Sequence, residues 1–128
     1  MDPVLQPAEV DRRGLDTEAL KRSFLERLVY SVGKDPETAK DHDWYEAVAL
    51  AVRDRLVDDW MNTTRGYYKR DQKRVYYLSV EFLIGRLLTD SMASLGIIDN
   101  CRAALAELGA DPDRVLDCLL YTSDAADE

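Results

Sequence analysis

The sequence predicts a mostly α-helical fragment with one strand of the buried type, taken from a larger α/β protein. Two observations support this fold class. In several segments apolar residues recur every three or four positions, as on the buried face of an amphipathic helix. Residues 75–80 are instead apolar on both faces apart from Ser79, as in the interior of a parallel sheet. A lone strand leaves its backbone groups unpaired, so we expect its neighbours to lie outside this sequence.

The first helix is predicted to begin after Asp16, a residue type that often caps helices. Leu20, Phe24 and Leu28 follow at intervals of four and form its apolar stripe. Gly33 is suited to end this helix in a left-handed conformation, and a turn is expected near residues 35–36, where proline follows aspartate.

A second helix is predicted from Asp43, where Glu46 completes a variant of the capping box. Apolar residues cover most of its circumference, which favours a helix enclosed within a larger structure. Its main stripe consists of Tyr45, Val48, Val52, Leu56 and Trp60. Residues 62–73 are polar and are predicted to form a loop.

Three further helices are predicted after the strand. They cover residues 86–95, ending at Gly96, and residues 100–108, ending at Gly109, and a short last helix follows with Pro112 in its first position. In domain terms we expect a flexible arm over residues 1–15 and an incomplete domain over residues 16–117. Residues 118–128 resemble the translation of a transposon-end sequencing adapter, which predicts that the natural sequence stops near Asp117.

Composition excludes several classes of function. The chain has 128 residues and a formal net charge of −8, which disfavours binding to nucleic acid or to an anionic membrane. Two cysteines and one histidine are too few for a disulfide scaffold or a zinc cluster, and no metal site is expected. No stretch approaches the ~20 apolar residues that cross a bilayer, and no secretory signal is visible, so we expect a cytoplasmic protein.

Two places are candidates for chemistry. Glu81 follows the predicted strand, at the edge where α/β sheets gather ligands, although the residues alone favour a structural role as a cap or an ion pair with Arg86. A second cluster combines aromatic rings with cations that suit a base and a phosphate, or a solvated helix end: Trp60, Arg65, Tyr67, Tyr68, Lys69 and Arg70. His42 lies among acidic residues in a polar loop and is expected to be exposed.

Residues 73–88, with the sequence KRVYYLSVEFLIGRLL, resemble the N-terminal signature of the glycogen, starch and maltodextrin phosphorylases. The resemblance extends over residues 18–117. It includes DWY at 43–45, VRDRL at 52–56, MASLG at 92–96 and LAELG at 105–109.

The resemblance implies an enzyme with two Rossmann-like domains, of the GT-B type of glycosyltransferase. Such enzymes use inorganic phosphate to cleave terminal α-1,4-linked glucose from a glucan, and they release glucose 1-phosphate. They are homodimers that carry pyridoxal 5'-phosphate on a lysine of the C-terminal domain. That lysine is not expected in this chain, so the fragment alone is predicted to be inactive.

Single residues also carry over from the resemblance. Glu81 matches a glutamate near the glucosyl subsite, where a supporting role is implied. Trp60 and Tyr68 match the AMP site of the regulated members, but Thr64 and Arg65 stand where those members carry a pair of glutamines. Residues 31–40 match a loop that contacts the partner subunit.

Regulation is predicted to be weak. The first serine is Ser23, inside the first predicted helix, and residues 1–15 are not basic. The parent enzyme is therefore expected to lack the N-terminal phosphorylation switch. The alternative interpretation of the whole sequence is a small, non-catalytic helical interaction module that buries its apolar helices in a partner.

Overall fold

The structure is a computed structural model that describes residues 14–79 and 86–125. Within these ranges the chain forms five α-helices and one π-helical segment. The α-helices are α1 (Thr17–Glu26), α2 (Asp41–Arg70), α3 (Leu87–Leu95), α4 (Ile98–Glu107) and α5 (Pro112–Ala125); the π-helical segment, Arg27–Val32, continues directly from α1.

The start and end signals of the first helix are confirmed. The Asp16 carboxylate accepts a hydrogen bond from the backbone N–H of Ala19, as a helix cap does. Gly33 closes the π-helical segment with a φ of 74°. The turn expected at Asp35 also forms, because the backbone N–H groups of Thr38 and Ala39 both bond to its carbonyl oxygen.

The bounds predicted for the second helix are wrong at both ends. Helix α2 begins at Asp41, and the carboxylate of Asp43 caps it by accepting from the backbone N–H of Lys40 at 2.9 Å. Asp43 therefore lies inside the first turn, where an acidic group also suits the helix dipole. The helix then continues through the predicted loop to Arg70, because exposed polar residues remove the apolar period without breaking a helix.

The bounds predicted for α3 and α4 agree with the structure to within two residues, whereas the last helix was predicted to be short and instead spans 14 residues. Gly96 and Gly109 follow α3 and α4 with φ values of 70° and 82°. Pro112 takes the first position of α5, and the side chain of Asp111 accepts from the backbone N–H of Asp113. Helix α5 crosses residue 118 without a break, and the proposed end of the natural sequence near Asp117 stays a prediction.

The predicted strand does not form. Within residues 14–79 and 86–125 there is no β-strand, and residues 72–79 have no regular secondary structure. The side chains of Val75, Tyr77 and Leu78 are exposed by 94%, 89% and 93%. A strand is stable only when neighbours pair with its backbone and cover its faces, and the described chain offers neither.

One hydrophobic core lies between the helices. It contains the stripe predicted on α1, namely Leu20, Phe24 and Leu28, all fully buried. It also contains Ile97, which lies between α3 and α4, and residues of the other helices: Trp44, Ala47, Val48, Ala51, Val52, Met92, Cys101, Ala104, Leu105 and Val115. The stripe predicted on α2 is therefore right for Val48 and Val52 but wrong for Leu56 and Trp60, which are exposed.

Ion pairs at the surface join helices that are distant in sequence. Lys21 of α1 bonds to Glu107 of α4 at 3.0 Å, and Arg27 bonds to Asp54 of α2 at 2.5 Å. Arg102 of α4 pairs with Asp113 of α5. These exposed pairs fix the relative placement of helices more than they add stability.

Candidate functional site

The residues predicted at a nucleotide site share one face of the C-terminal half of α2. Trp60, Thr64 and Tyr68 follow one another at intervals of four, which places them one above the other along the helix. Arg65 lies beside Thr64. Trp60 and Tyr68 are 66% and 69% exposed, so this face, which we call the α2 aromatic face, is open to solvent.

The end of α2 brings a further cation to this face. Asp71 ends the helix with a φ of 47°, and the chain turns back so that the guanidinium of Arg74 lies 4.1 Å from the centroid of the Tyr68 ring. Nη1 of Arg74 donates to the Tyr68 hydroxyl at 3.5 Å. Hydrogen bonding to the hydroxyls of Tyr68 and Tyr76 raises the pKa of Arg74. The sequence did not predict this cation–π contact, because residues 62–73 were expected to form a loop and the turn after α2 was not expected.

The surroundings of the face are basic in a protein that is acidic overall. Lys69 and Arg70 lie in the last turn of α2, where cations suit the helix dipole, and Lys73 and Arg74 follow. Such a combination of aromatic rings and cations suits an anionic, planar ligand. Because all these groups are exposed, tight binding needs further protein to exclude water around them.

Glu81, the other candidate, lies outside the described residues. Its predicted place near a glucosyl subsite, and its possible pairing with Arg86, therefore stay predictions. In the described part, Arg86 approaches Asp117 at 3.9 Å, between two exposed side chains.

His42 and the buried Cys101 have ordinary surroundings. His42 is exposed in the first turn of α2, as expected. Cys101 is fully buried in α4, and burial raises the pKa of its thiol to about 12. The thiol is therefore protonated at neutral pH and is not a nucleophile. The described residues hold no cluster of three or more histidine, cysteine or acidic side chains that suits a metal.

Arg55 is a buried charged residue that the sequence analysis did not single out. It is only 3% exposed and donates to the carbonyl oxygens of Gly14 and Ala51 and to the hydroxyl of Ser23. Burial lowers its pKa, because loss of water disfavours the charged form. Arg55 follows Val52 by three residues and Ala51 by four, so it lies on the apolar face of α2. This spacing could have predicted from the sequence that Arg55 is buried.

Comparison with known proteins gives a consistent result. The chain is 44% identical over 107 residues to the glycogen phosphorylase of Chlamydia pneumoniae and 39% identical over 117 residues to that of Haemophilus influenzae. It is 41% identical over 107 residues to the brain form of glycogen phosphorylase from Bos taurus. These matches cover 84%, 91% and 80% of the chain. The chain is homologous to the glycogen phosphorylases. No protein-family model matches it.

This phosphorylase homologue spans only a small part of its relatives. The matched region is 13% of the Chlamydia and Bos taurus proteins and 14% of the Haemophilus protein. None of the helices described here is both long enough and apolar enough to cross a membrane.

The lysines of this phosphorylase homologue do not fit a pyridoxal phosphate site. Lys34, Lys40, Lys69 and Lys73 are exposed. Lys21 bonds to Glu107 across the surface between α1 and α4, which raises its pKa. A lysine that holds this cofactor needs an enclosed pocket, and neither four exposed side chains nor a lysine in a surface ion pair provides one.

Proposed function

We propose that this chain is part of an α-glucan phosphorylase, which uses inorganic phosphate to cleave terminal α-1,4-linked glucose and releases glucose 1-phosphate. The observation that carries the proposal is the identity of 39–44% to glycogen phosphorylases over 80–91% of the chain. Identity at this level over a hundred residues indicates a common ancestor. A function in glycogen metabolism is therefore our hypothesis for the whole protein.

The exposure of residues 75–78 supports the proposal that this chain is part of a larger protein. Four apolar side chains in succession, Val75 to Leu78, are at least 76% exposed. Monomeric proteins do not usually leave a run of this size in water, and contiguous exposed apolar surface marks a place where something else packs. We propose that further parts of the same phosphorylase cover this segment and complete a domain of the GT-B type.

The helical interaction module remains the second candidate, and one observation favours it. The helices of the described chain pack against one another around a core of fourteen buried residues, without help from a partner. The same observation argues against the way in which the module was expected to bind a partner. The apolar stripes of α1 and of the first half of α2 are already buried in the core of this chain. We therefore favour the phosphorylase.

The complete enzyme is proposed to use pyridoxal 5'-phosphate, which supplies a phosphate group for proton transfer to substrate phosphate. None of the lysines in this chain suits it, so we assign the cofactor to parts of the enzyme outside this sequence and derive no step from it here. A homodimer in the cytoplasm, with an α-1,4-glucan and phosphate as substrates, completes the proposal. The 128-residue chain alone is proposed to be inactive.

The function of Glu81 is proposed to be support of the glucosyl subsite through hydrogen bonds. In the complete enzyme, Glu81→Gln keeps the shape of the side chain and removes its charge. We expect kcat to fall while the midpoint of thermal unfolding stays within a few degrees of the parent. An equal loss of activity and stability would instead show that Glu81 serves the fold.

Control by AMP is proposed to be weak. Trp60 and Tyr68 keep the aromatic part of the site, but Arg65 stands where a neutral amide is expected from the resemblance. Activity of the complete enzyme should change less than about twofold when AMP is added at saturating concentration. Activation of several-fold would contradict this proposal.

The activity itself is tested with two proteins. The complete product of the source gene, loaded with pyridoxal phosphate, is incubated with maltodextrin and inorganic phosphate, and glucose 1-phosphate is measured. The 128-residue chain is assayed beside it. We expect phosphorolysis from the complete product alone. Turnover by the short chain, or none by the complete product, would overturn the proposal.

A further inference from the structure

The chain that enters α1 is fastened to the helices at two points. Gly14 and Leu15 precede Asp16, the cap of α1, and are non-helical; we call these two residues the N-terminal strap. The carbonyl oxygen of Gly14 accepts from Nη2 and Nε of Arg55, at 2.8 and 3.2 Å. The next carbonyl, that of Leu15, accepts from Nδ2 of Asn100 at 2.8 Å. Arg55 belongs to α2 and Asn100 to α4, so side chains from two helices hold successive peptide groups.

Apolar burial contributes little to this attachment. The side chain of Leu15 is 46% exposed, and Asp16 is exposed as well. The strap thus has no large side chain inserted into the core, and its backbone hydrogen bonds carry the attachment. This distinguishes it from α1, whose Leu20 and Phe24 are fully buried.

Both side chains that hold the strap are themselves fixed. Arg55 is oriented by Nη1 bonding to the carbonyl of Ala51 at 2.8 Å and by Nη2 bonding to the hydroxyl of Ser23 at 3.1 Å. Asn100 accepts from the hydroxyl of Thr17 at 3.5 Å, which orients its amide toward Leu15. Donors that are already oriented lose little conformational entropy when they bind, so the two points hold the strap in one place.

We propose that Arg55 and Asn100 form a two-point clasp that fixes the N-terminal strap, and that the strap opens as a unit without unfolding of the helices. Loss of either donor leaves only one of the two strap carbonyls held by a side chain, which releases the strap from the cap at Asp16 outward. The proposal is independent of the catalytic function of the complete protein.

Trypsin cleavage of the Arg13–Gly14 bond tests the clasp. A protease needs several residues in extended, free conformation on each side of the bond, so cleavage requires the strap to open. Using the full 128-residue chain under native conditions, we expect Asn100→Ala and Arg55→Lys each to raise the cleavage rate by about fivefold, the effect of losing one hydrogen bond. The helical circular dichroism of Asn100→Ala should stay unchanged.

Two exposed residues of α2 serve as matched controls. Arg53→Lys changes an exposed arginine of α2, and Asn62→Ala removes an exposed amide; both should leave the cleavage rate within twofold of the parent. The double variant of Arg55 and Asn100 should cleave no more than about twofold faster than the faster single variant, because either change already opens the strap.

Two results would overturn the clasp. The first is an unchanged cleavage rate in Asn100→Ala with its helices intact. The second is a double variant whose rate increase equals the product of the two single increases, since that is the behaviour of independent bonds. If Arg55→Lys loses helical structure, Asn100→Ala and its control decide the question.

Discussion

Cys101 shows how the interior of this protein changes the chemistry of a single residue. Its thiol is fully buried in the hydrophobic core, and loss of water opposes the thiolate form. The nearby positive charge of Arg55 favours the thiolate, but burial outweighs it, and the pKa of Cys101 rises from 9.0 to about 12. A buried cysteine of this kind acts as a small apolar residue.

Alkylation should separate the two cysteines. The chain contains Cys101, which is buried, and Cys118, which is partly exposed. At pH 8 iodoacetamide should modify Cys118 first and Cys101 only at the rate at which the protein unfolds, because the thiolate is the reactive form. Mass spectrometry of the digested chain measures both rates. Equal rates under native conditions, with equal rates also in denaturant, would contradict the burial of Cys101.

The pKa shift of Cys101 also predicts how stability depends on pH. The folded state holds the thiol proton more tightly than the unfolded chain, so this contribution to stability is complete below about pH 9. It is lost as pH rises from about 9 toward the folded pKa of about 12. The free energy of unfolding should therefore fall less steeply over this interval in Cys101→Ala than in the parent. Parallel slopes would contradict the shift.

Two leucines on different helices give a matched test of the core. Leu28 is fully buried and Leu56 is 36% exposed. Leu28→Ala should lower the free energy of unfolding by about 2–5 kcal/mol, through lost burial and a residual cavity. Leu56→Ala should cost less than about half as much. Chemical denaturation measures both free energies of unfolding. A loss for Leu56→Ala as large as that for Leu28→Ala would contradict the position of the core described here.

Periodicity predicted the buried residues where one helix face meets the core. Leu20, Phe24 and Leu28 were identified correctly because α1 is amphipathic along its whole length. Trp60 was placed on a buried stripe because periodicity finds the apolar positions of a helix but not where the neighbouring helices end. Leu56 is 36% exposed and Trp60 is 66% exposed, so the buried part of this stripe ends before them.

At the scale of the elements, glycines decide where helices end. Gly33 has a φ of 74° and nothing within 4 Å of the position that a Cβ would occupy, so a substitution there meets conformational strain alone. Gly66 lies inside α2, and a Cβ there would meet only the flexible end of the Arg70 side chain at 3.1 Å. The same substitution should therefore have opposite effects at these two positions.

Gly33→Ala should destabilise the protein by about 1 kcal/mol, because an L-residue in the left-handed conformation is strained. Gly66→Ala should stabilise it by up to about 1 kcal/mol, since alanine favours a helix interior. The midpoint of thermal unfolding reports both, moving down for the first and up for the second. Movement in the same direction would contradict the helix bounds found here.

Element ends were predictable where a residue of special geometry stands there. Gly33, Gly96 and Gly109 were each identified as helix ends before the structure was known. The end of α2 was not, since Asp71 takes the left-handed conformation there in place of a glycine and the polar residues 62–73 favoured a loop. The strand over residues 75–80 was wrong in this chain because local preference does not supply the neighbours that a strand needs.

On the scale of the whole molecule, the exposed run of residues 75–78 should respond differently in the short chain and in the complete protein. Leu78→Ala in the 128-residue chain should change the free energy of unfolding by less than about 0.5 kcal/mol, as is usual for an exposed site. In the complete protein the same change should cost about 2–5 kcal/mol, because the side chain is proposed to be covered there. Equal small effects in both would contradict the covering.

The identity of the family was predictable from residues 73–88, whereas the site was not. Its proposed carboxylate, Glu81, lies outside the described residues, and the α2 aromatic face is open to solvent. A catalytic cleft depends on residues brought together from distant parts of a chain, and this sequence spans 13–14% of its relatives. A sequence of this length is enough to specify the helical core, but not a catalytic cleft.

Amide hydrogen exchange over residues 74–79 tests most directly whether this chain is a part of a larger phosphorylase. Exchange of these amides is measured in the 128-residue chain and in the complete product of the source gene under the same conditions. We expect exchange close to the rate of an unstructured peptide in the short chain and slowing by at least about a hundredfold in the complete protein. Slow exchange in the short chain, or equally fast exchange in both proteins, would contradict the account.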